Sequence, residues 1–441
     1  MIGSVKLDRV VLVNDDAAER GGAAVIALRS ARLLNARRVP VTILSGGADV
    51  DPELKTLGIE VEVLGGRHIL EGSRAAAAGR GLFDPVTQAR LAEWIVTNDT
   101  PGTVYHLHNW HKVLSPSVFG VLRRVAHRLV ISAHDYFLVC PTGGYFDYSK
   151  GAACELVPGS WRCLATACDR RRYAHKLWRV ARHWTRQRLL DLNGSGATVL
   201  AVHDAMVPVL ARAGVAARVI RVLRNPVTPW SRTRVPAERN REVFFVGRLD
   251  GDKGADLLAR AARRAGAALR IVGDGPLAAS IARDNPDAQL LGWRTRQQIA
   301  QLIGSARLVV SPTRCRETFG LVPLEALMSG IPVVLSGLFP TSDEVVRRDF
   351  GLVCDPFDEP ALAATIAELL QDDRRVRQMS LRGFAEARAL APTPEHWCDE
   401  LVALYRSRIG DGKAMRPMQG SRSPHRHLAA SAAASLTGAA G

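Results

Sequence analysis

The sequence predicts an α/β protein made of two doubly wound units joined by a linker. Two series of short apolar runs alternate with helical stretches, the first over residues 9–223 and the second over residues 242–354. Strands of a parallel sheet that is covered by helices on both faces have this apolar composition. The length of 441 residues is enough for two or three domains. Residues 226–240, which lie between the two series, are rich in proline, arginine and threonine, and they indicate a linker.

The elements of each series follow from apolar runs and helical spacing. Strands are predicted in the first series at 9–14, 39–44, 59–64, 103–108, 128–133, 198–202 and 217–223, with helices at 23–34, 83–96, 114–126 and 173–190. Strands are predicted in the second series at 242–246, 268–272, 289–291, 308–311, 331–335 and 351–354, and a last helix at 393–408. The predicted units are 1–225 and 241–390, followed by a helical segment at 391–410. No acidic residue follows Asp411, and a disordered tail is predicted for 411–441.

Composition narrows the classes of function. The formal net charge of +16 favours anionic partners such as nucleotide phosphates, nucleic acid or an acidic membrane surface. No nucleic-acid recognition module is present in the sequence, so nucleic acid is not expected as a partner. No apolar run reaches about 18 residues, and the N-terminal residues do not resemble a signal peptide. Seven cysteines without a secretion signal make a disulfide framework unexpected, and a cytoplasmic location is the expectation.

Two loops that follow strands of the second series carry charged residues suited to a phosphorylated ligand. The stretch 312–334 reads P-T-R-C-R-E-T-F-G-L-V-P-L-E-A-L-M-S-G-I-P-V-V, with Glu317 in the loop and Glu325 in the first turn of a helix that should begin at Pro323. Backbone N–H groups just before that helix can bind a phosphate; they belong to Phe319, Gly320 and Leu321. Residues 245–254 read F-V-G-R-L-D-G-D-K-G, where Arg248 and Lys253 flank a tight glycine turn.

These motifs resemble those of the retaining glycosyltransferases of family 4, which have the GT-B fold. The first loop resembles the E-x7-E signature and the second the G-R-L-x-x-x-K-G motif of that family. The resemblance implies that Glu317 lies over the donor sugar, that Glu325 binds the ribose, and that Arg248 with Lys253 grips the diphosphate. It also implies that Trp293 lies where the base is held, within L-G-W at 291–293, after a V-G-x-G-P-like turn at 272–276.

The N-terminal half resembles the family less closely. Gly21-Gly22 follows the first strand, as the family's glycine loop does, so Gly22 is expected to face the donor phosphate across the cleft. His134 belongs to an H-D-aromatic run after a predicted strand and, by the resemblance, lies near the reacting sugar, where it can bind a hydroxyl or stabilise developing charge. His106, His108 and His111 lie at another strand end, and packing or local hydrogen bonding is the alternative to function for them.

The resemblance implies the remaining expectations. The fold is GT-B, with two Rossmann-like domains facing a cleft, the first binding the acceptor and the second the nucleotide sugar, and with the last helix crossing back to the N-terminal domain. The reaction moves a sugar from a UDP-, GDP- or ADP-linked donor to a saccharide or lipid-linked hydroxyl acceptor, with retention and without a metal or other cofactor. Cell-surface polysaccharide or glycolipid synthesis is the expected process. A non-catalytic GT-B scaffold or regulatory subunit on a membrane, and a nucleotide-sugar epimerase, are the alternatives.

Two features of the N-terminal half have two interpretations each. An insertion at 136–172 holds Cys140, Cys154, Cys163 and Cys168, whose spacing allows a structural zinc site but is also compatible with a free or redox-labile cluster. The helix within 170–188 is densely basic and carries an apolar stripe made of Tyr173, Leu177, Val180 and Trp184. That stripe either contacts an anionic membrane surface on the inner side of the cell or forms the helix's core face.

Overall fold

The computed structural model describes residues 6–19 and 21–409, which form two parallel sheets with helices on both faces. The predicted disordered tail, 411–441, lies outside the described residues. The strands are β1 (Arg9–Asn14), β2 (Val41–Ser45), β3 (Glu60–Val63), β4 (Thr103–Leu107), β5 (Leu129–Ala133), β6 (Phe146–Asp147), β7 (Ala152–Ala153), β8 (Thr198–Ala201), β9 (Ile220–Val222), β10 (Glu242–Val246), β11 (Ala268–Val272), β12 (Gln289–Leu290), β13 (Ala306–Ser311), β14 (Val333–Ser336) and β15 (Gly351–Cys354).

The α-helices cover the sheets and fill the connections between parallel strands. They are α1 (Gly22–Ala36), α2 (Pro52–Thr56), α3 (Arg74–Leu82), α4 (Pro85–Asn98), α5 (Ser117–Leu122), α6 (Trp161–Ala165), α7 (Tyr173–Leu189), α8 (Met206–Arg212), α9 (Ala255–Arg264), α10 (Ala278–Asp284), α11 (Arg296–Leu302), α12 (Leu321–Leu327), α13 (Ser342–Arg347), α14 (Glu359–Gln371), α15 (Asp373–Glu386) and α16 (Pro394–Ile409). Short 3-10 helices lie at Arg123–Arg128, Ala217–Val219, Ala237–Arg239, Ile303–Ser305 and Ala387–Leu390.

Each sheet has the strand order of a doubly wound unit. The first sheet runs β3-β2-β1-β4-β5-β8-β9 and the second β12-β11-β10-β13-β14-β15, and every neighbouring pair is parallel. The order reverses beside β1 in the first sheet and beside β10 in the second. In such sheets, ligands bind outside the carboxyl ends of the strands at the point of reversal. The loops after β1, β4, β10 and β13 are therefore where a ligand is expected.

The last helix returns to the N-terminal unit. α16 packs against α1 and β4, and it buries Trp397 and Tyr405 in the cluster that also holds core residues of β1 and β2. The hydroxyl of Tyr405 lies 2.6 Å from Nδ1 of His106, which is fully buried in β4. This arrangement confirms the predicted GT-B architecture of two Rossmann-like units with a helix that crosses back. The residue numbers predicted for the domain boundaries stay predictions.

Two local predictions were wrong. The helix expected to begin at Pro323 begins at Leu321, because Gly320 takes a left-handed φ of 91° and ends the preceding loop there. On α7 the stripe interpreted as a possible core face is mostly exposed, since Tyr173, Leu177 and Trp184 are 41%, 48% and 48% exposed. Its buried face consists of Lys176, Val180, Arg182, His183 and Arg186.

Candidate functional site

The loop between β10 and α9 presents Arg248 toward acidic neighbours of its own loop. The Arg248 side chain is 59% exposed and pairs with Asp250 and, at 3.4 Å, with Asp252. Gly254, which ends the loop, has φ 73°, and a Cβ there would lie 2.0 Å from the carbonyl oxygen of Pro312. Only glycine therefore lets this loop lie against the loop after β13.

Lys253 joins the two charged loops. Its Nζ lies 2.5 Å from Oε1 of Glu317, and the same oxygen accepts a hydrogen bond from Thr313 Oγ1 at 3.1 Å. Burial by itself would lower the pKa of Lys253, but the Glu317 carboxylate and neighbouring groups outweigh burial and raise it, while the charge of Arg248 acts in the opposite direction. The two cations predicted to grip a diphosphate thus lie close enough to repel each other, and each is held by carboxylates.

Glu325 lies at the second predicted position but is turned inward. It is 8% exposed and forms an ion pair with Arg296 of α11, whose guanidinium also donates to the carbonyl oxygen of Pro229 at 2.9 Å. Burial raises the pKa of Glu325, against the positive charges of Arg296 and Arg29. A ribose hydroxyl bound by Glu325 would therefore have to share the carboxylate with Arg296.

The other predicted donor-binding residues surround these loops. Gly22, at the start of α1, faces Leu321 at the start of α12, and a Cβ on Gly22 would lie 3.8 Å from the Leu321 side chain. Phe319 is buried and Gly320 is the N-cap of α12. Trp293 is 58% exposed and its backbone N–H donates to Asp274 at 2.8 Å, which anchors the segment beside the turn after β11. Gly22 and Leu321 thus lie across from each other where the two units meet, and Trp293 lies just after the short strand β12.

His134 follows β5 directly and faces the second unit. Its carbonyl oxygen accepts a hydrogen bond from Thr318 Oγ1 at 2.8 Å, so the residue that follows Glu317 is tied to the N-terminal unit. Its Nε2 lies 2.9 Å from Nδ1 of His108, and the two rings are stacked. Burial lowers the pKa of His134 to about 4, so the imidazole is neutral at physiological pH.

The three histidines after β4 have different surroundings. His106 bonds Tyr405 and, at 2.8 Å, Ser132 Oγ, and it is structural. His108 positions His134. His111 lies 3.6 Å from Asp135, and burial raises the pKa of that carboxyl group to about 6.

The loop that carries His111 is organised by Asp15, a buried carboxylate after β1. Asp15 accepts four backbone hydrogen bonds, from residues 111, 112, 113 and 114, at 2.8–3.0 Å.

The insertion places its cysteines around a buried lysine. Lys176 is 1% exposed, and its Nζ lies 2.9 Å from Sγ of Cys168 and 3.7 Å from Sγ of Cys163. Cys140 is buried and Cys154 partly buried, and both thiols are free. Within residues 6–19 and 21–409, no group of three or more His, Cys, Asp or Glu is arranged to hold a metal ion. The structural zinc site stays a prediction.

Several contacts at the site were not predicted. Arg170 of the insertion pairs with Asp250 at 2.7 Å, and Glu155 pairs with Arg316 at 2.5 Å, so the insertion contacts both charged loops of the second unit. His203, two residues after β8, is 4% exposed and its ring lies 6.1 Å from that of Phe319. His203 could have been predicted as a site residue from the sequence, because it lies just after a predicted buried parallel strand. The pairs of Arg170 and Glu155 join segments far apart in the chain, and no local pattern predicts them.

No helix among the described residues combines the length and the apolar character that crossing a bilayer requires. Contact of α7 with a membrane surface stays a prediction.

The C-terminal unit is similar in sequence to known glycosyltransferases. Residues 240–372 match the family model of glycosyl transferases group 1. A GDP-mannose-dependent alpha-mannosyltransferase of Corynebacterium glutamicum is 31% identical over 170 residues, which are 38% of this chain and 40% of that protein. A D-inositol 3-phosphate glycosyltransferase of Mycolicibacterium smegmatis is 30% identical over 192 residues, 41% of this chain and 43% of that protein. The matches thus span about two fifths of the length of these curated relatives.

Solved structures with the same fold cover nearly the whole chain. Anabaena HepE, crystallised with UDP and glucose, superposes with a TM-score of 0.64 at 18% identity, over 90% of this chain and 99% of that one. Sucrose-phosphate synthase of Thermosynechococcus elongatus gives a TM-score of 0.66 at 18% identity, over 91% and 98%. At 18% sequence identity, the likeness to these structures establishes the fold alone.

Proposed function

We propose that this chain, whose residues 240–372 match the group 1 glycosyltransferases, is a member of that family and transfers a sugar from a nucleoside diphosphate donor to a hydroxyl acceptor with retention of anomeric configuration. The observation that supports the proposal most is the contact of 2.5 Å between Lys253 Nζ and Glu317 Oε1, which joins the loops after β10 and β13. Arg248 lies in the first of these loops, and Thr318 of the second contacts the carbonyl oxygen of His134. A preorganised cation and carboxylate at one point can stabilise a departing diphosphate and a developing positive charge on the sugar together.

Each side chain has a role in the proposed reaction. Arg248 and Lys253 hold the donor diphosphate and supply the positive charge that a metal ion supplies in other transferases, so the reaction as proposed is independent of metal. Glu317 stays beside the anomeric carbon and stabilises positive charge there. Glu325 binds the ribose, and His134 binds a hydroxyl of the donor sugar as a neutral imidazole.

The proposed step leaves the protein covalently unchanged. The bond between the anomeric carbon and the diphosphate oxygen breaks, and the acceptor oxygen bonds that carbon on the same face. The acceptor proton passes to the departing phosphate oxygen. The contact of Thr318 with His134 ties the two units together, and their closure over the donor would exclude water and limit hydrolysis.

The acceptor and the working surface are part of the proposal. A saccharide or lipid-linked acceptor in cell-surface polysaccharide or glycolipid synthesis fits a chain of net charge +16 that exposes Tyr173, Leu177 and Trp184 on a basic helix. Aromatic and aliphatic side chains beside arginines favour contact with an anionic lipid surface.

Calorimetry against UDP, GDP and ADP tests the donor site. One relative is named for GDP-mannose and one neighbouring structure holds UDP, so both are tried first. One diphosphate should bind to the wild type and lose at least about tenfold in affinity in Arg248→Ala. Arg264→Ala is the matched control, because its side chain is 60% exposed, like that of Arg248, but lies on the far end of α9. Absence of binding to all three nucleotides, or equal losses in both variants, would overturn the donor-site assignment.

A further inference from the structure

A cavity of about 190 Å³ lies in the N-terminal unit, away from the donor loops. Its wall is formed by His183, Arg186 and Gln187 of α7, by the turn 190–193 and by residues 213–215. The turn leads into the amino end of β8, and residues 213–215 precede β9, so the cavity lies at the end of the sheet opposite to the carboxyl ends that hold Gly22 and His134. Val139 and Pro158 of the insertion close it on one side.

Arg186 brings an unbalanced charge to this cavity. The residue is 4% exposed, and its guanidinium makes one long hydrogen bond, 3.4 Å from Nη1 to the carbonyl oxygen of Leu190. Its Nε has no partner among the described residues. A buried charge without a counter-ion costs several kcal/mol, and buried polar groups in native proteins almost always have partners. Burial lowers the pKa of Arg186 only to about 10, so the group remains a cation at neutral pH.

The other polar groups of the wall do not balance that charge. His183 is 5% exposed with Nδ1 unpartnered, and burial together with the charge of Arg186 lowers its pKa to about 3, so its ring is neutral. The side-chain amide of Asn193 is occupied by Gly214 and Ala216. Asp191 is the one acid of the wall. Its charge acts against the effect of burial on the pKa of Arg186, but the residue is exposed, forms no ion pair with Arg186, and accepts a hydrogen bond from the backbone N–H of Asn193 at 2.9 Å.

We propose that this cavity binds a small oxyanion, a phosphate or carboxylate group, on the guanidinium of Arg186. The planar fork of an arginine matches both groups through two parallel hydrogen bonds. His183, whose Nδ1 has no partner among the described residues, lines the same cavity. A volume of about 190 Å³ exceeds the roughly 30 Å³ share of one water several times, so it holds a phosphate with a few waters or the head of a phosphate ester.

Thermal unfolding of the full chain with inorganic phosphate tests the site, in buffers matched for ionic strength with chloride. The melting temperature of the wild type should rise by about 2 °C or more as phosphate increases, and the rise should become smaller in Arg186→Met. Arg188→Met is the matched control on the same helix, because Arg188 is exposed, and it should keep the full rise. The methionine should not unfold the protein, since replacing an unpaired buried charge with an apolar side chain is often stabilising.

The donor site is also expected to attract phosphate, so the series is repeated in Arg248→Ala. A rise that persists in Arg248→Ala and vanishes when Arg186→Met is added to that variant supports the second site whether or not the chain is a transferase. Three outcomes overturn the second site: the rise is lost in Arg248→Ala, it is unchanged in Arg186→Met, or the wild type shows no rise.

Glycerol 3-phosphate is the second ligand. If the melting temperature rises at a lower concentration of glycerol 3-phosphate than of phosphate, the occupant is a phosphate ester. If both ligands raise the melting temperature at the same concentration, the occupant is the free anion. Arg186→Lys, which keeps the charge without the fork, should show a smaller rise if Arg186→Met does not fold.

Discussion

Glu317 and Lys253 form an ion pair between the loops after β10 and β13, and each side chain restrains the other. While the ion pair is closed, the ammonium of Lys253 is not fully free for a diphosphate. Glu317→Gln keeps the shape of the side chain and removes its charge. We expect transfer to fall on the order of 100-fold, because the charge beside the anomeric carbon is lost. The affinity for the nucleoside diphosphate should stay equal or rise, because Lys253 is released.

Two measurements separate these effects. Product formation in single-turnover reactions reports the chemical step, and calorimetry with the diphosphate reports binding. Thr313→Val is the matched control: it removes the neighbouring 3.1 Å hydrogen bond to Glu317 but not the charge. Sugar transfer at the wild-type rate by the Glu317→Gln variant would contradict the assigned role.

His108 determines which nitrogen of His134 is available. Nε2 of His134 is occupied by His108, so Nδ1 is the atom that can reach a ligand. His108→Phe retains the stacked ring but loses the hydrogen bond, and we expect kcat to fall about tenfold or more with little change in KM, since the catalytic ring is no longer held. His108→Asn should restore much of the rate, because an amide can lie near the position of Nδ1. Equal rates in all three proteins, measured as initial velocities, would assign His108 to packing alone.

At the scale of single elements, α7 shows how a basic helix can be packed with its charges inside. Arg182 is 4% exposed and donates to the carbonyl oxygen of His111 at 2.9 Å, with its guanidinium over the ring of Trp110. Lys176 is held by the insertion's thiols. These buried cations contact carbonyl oxygens, an aromatic face and sulfur instead of the carboxylates that buried cations usually require. The side chains of Tyr173, Leu177 and Trp184 are exposed on the other face of the helix.

This exposed stripe predicts binding to anionic lipid. Leu177→Ser with Trp184→Ser should weaken binding to phosphatidylglycerol vesicles at least fivefold, because apolar area no longer enters the interface. The melting temperature should not fall, since both side chains are already 48% exposed. Val180→Ser on the same helix is the control; Val180 is 3% exposed, so it should lower stability and leave vesicle affinity per folded molecule unchanged. Vesicle cosedimentation decides, and unchanged binding of the double variant would assign no lipid contact to this face.

The same helix shows where sequence reasoning stops. Every predicted strand is present, and β1, β10, β11 and β15 have the predicted bounds, because strands buried on both faces are apolar runs with no competing pattern. The structure brings Lys253 and Glu317 together because the loops after neighbouring parallel strands share one edge, and their roles stay predictions. The partners of Arg182 lie about 70 residues earlier in the chain, and Arg170 and Asp250 are 80 residues apart. Neither the buried Arg182 nor the pair Arg170–Asp250 could therefore be predicted from local composition.

At the scale of the whole molecule, buried neutral histidines make the fold sensitive to acid. Burial lowers the pKa of His106 and of His183 to about 3, against about 6.5 in an unfolded chain. Below pH 6.5 the unfolded state binds protons that the folded state does not, so stability is present above that pH and is lost as the pH falls toward 3. Each such histidine should lower the free energy of unfolding by about 1.4 kcal/mol per pH unit within this window. Asp135, with its raised pKa, acts in the opposite direction, but its side chain is 35% exposed.

Urea unfolding at pH 7.5, 6 and 5 measures this dependence. His183→Leu should reduce the slope by about one proton, whereas His396→Gln should not change it, because His396 is 66% exposed. An identical slope in the leucine variant would place the acid sensitivity in other groups.

The two units are also coupled through the charge of the donor loop. Asp250 bonds Arg248 from one side and Arg170, carried by the insertion of the other unit, at 2.7 Å from another. Arg170 draws part of the carboxylate's charge away from Arg248 and from any bound diphosphate. Arg170→Ala should therefore weaken diphosphate binding about threefold, the scale of one partly exposed ion pair. Arg171→Ala, an exposed neighbour, is the matched control.

The double-mutant cycle with Asp250→Asn separates this effect from a general loss of positive charge. Without the carboxylate, Arg170 has nothing to neutralise, so Arg170→Ala should cost little in the Asp250→Asn background. A loss of the same size in both backgrounds would mean that Arg170 attracts the diphosphate directly, through the field of the cleft. If the cycle shows coupling, the insertion connects the two units, because it pairs with both Asp250 and Arg316. Binding of a ligand to the N-terminal unit would then change the affinity for the donor through this segment. Donor affinity should also change in any variant that weakens the insertion's contact at Glu155.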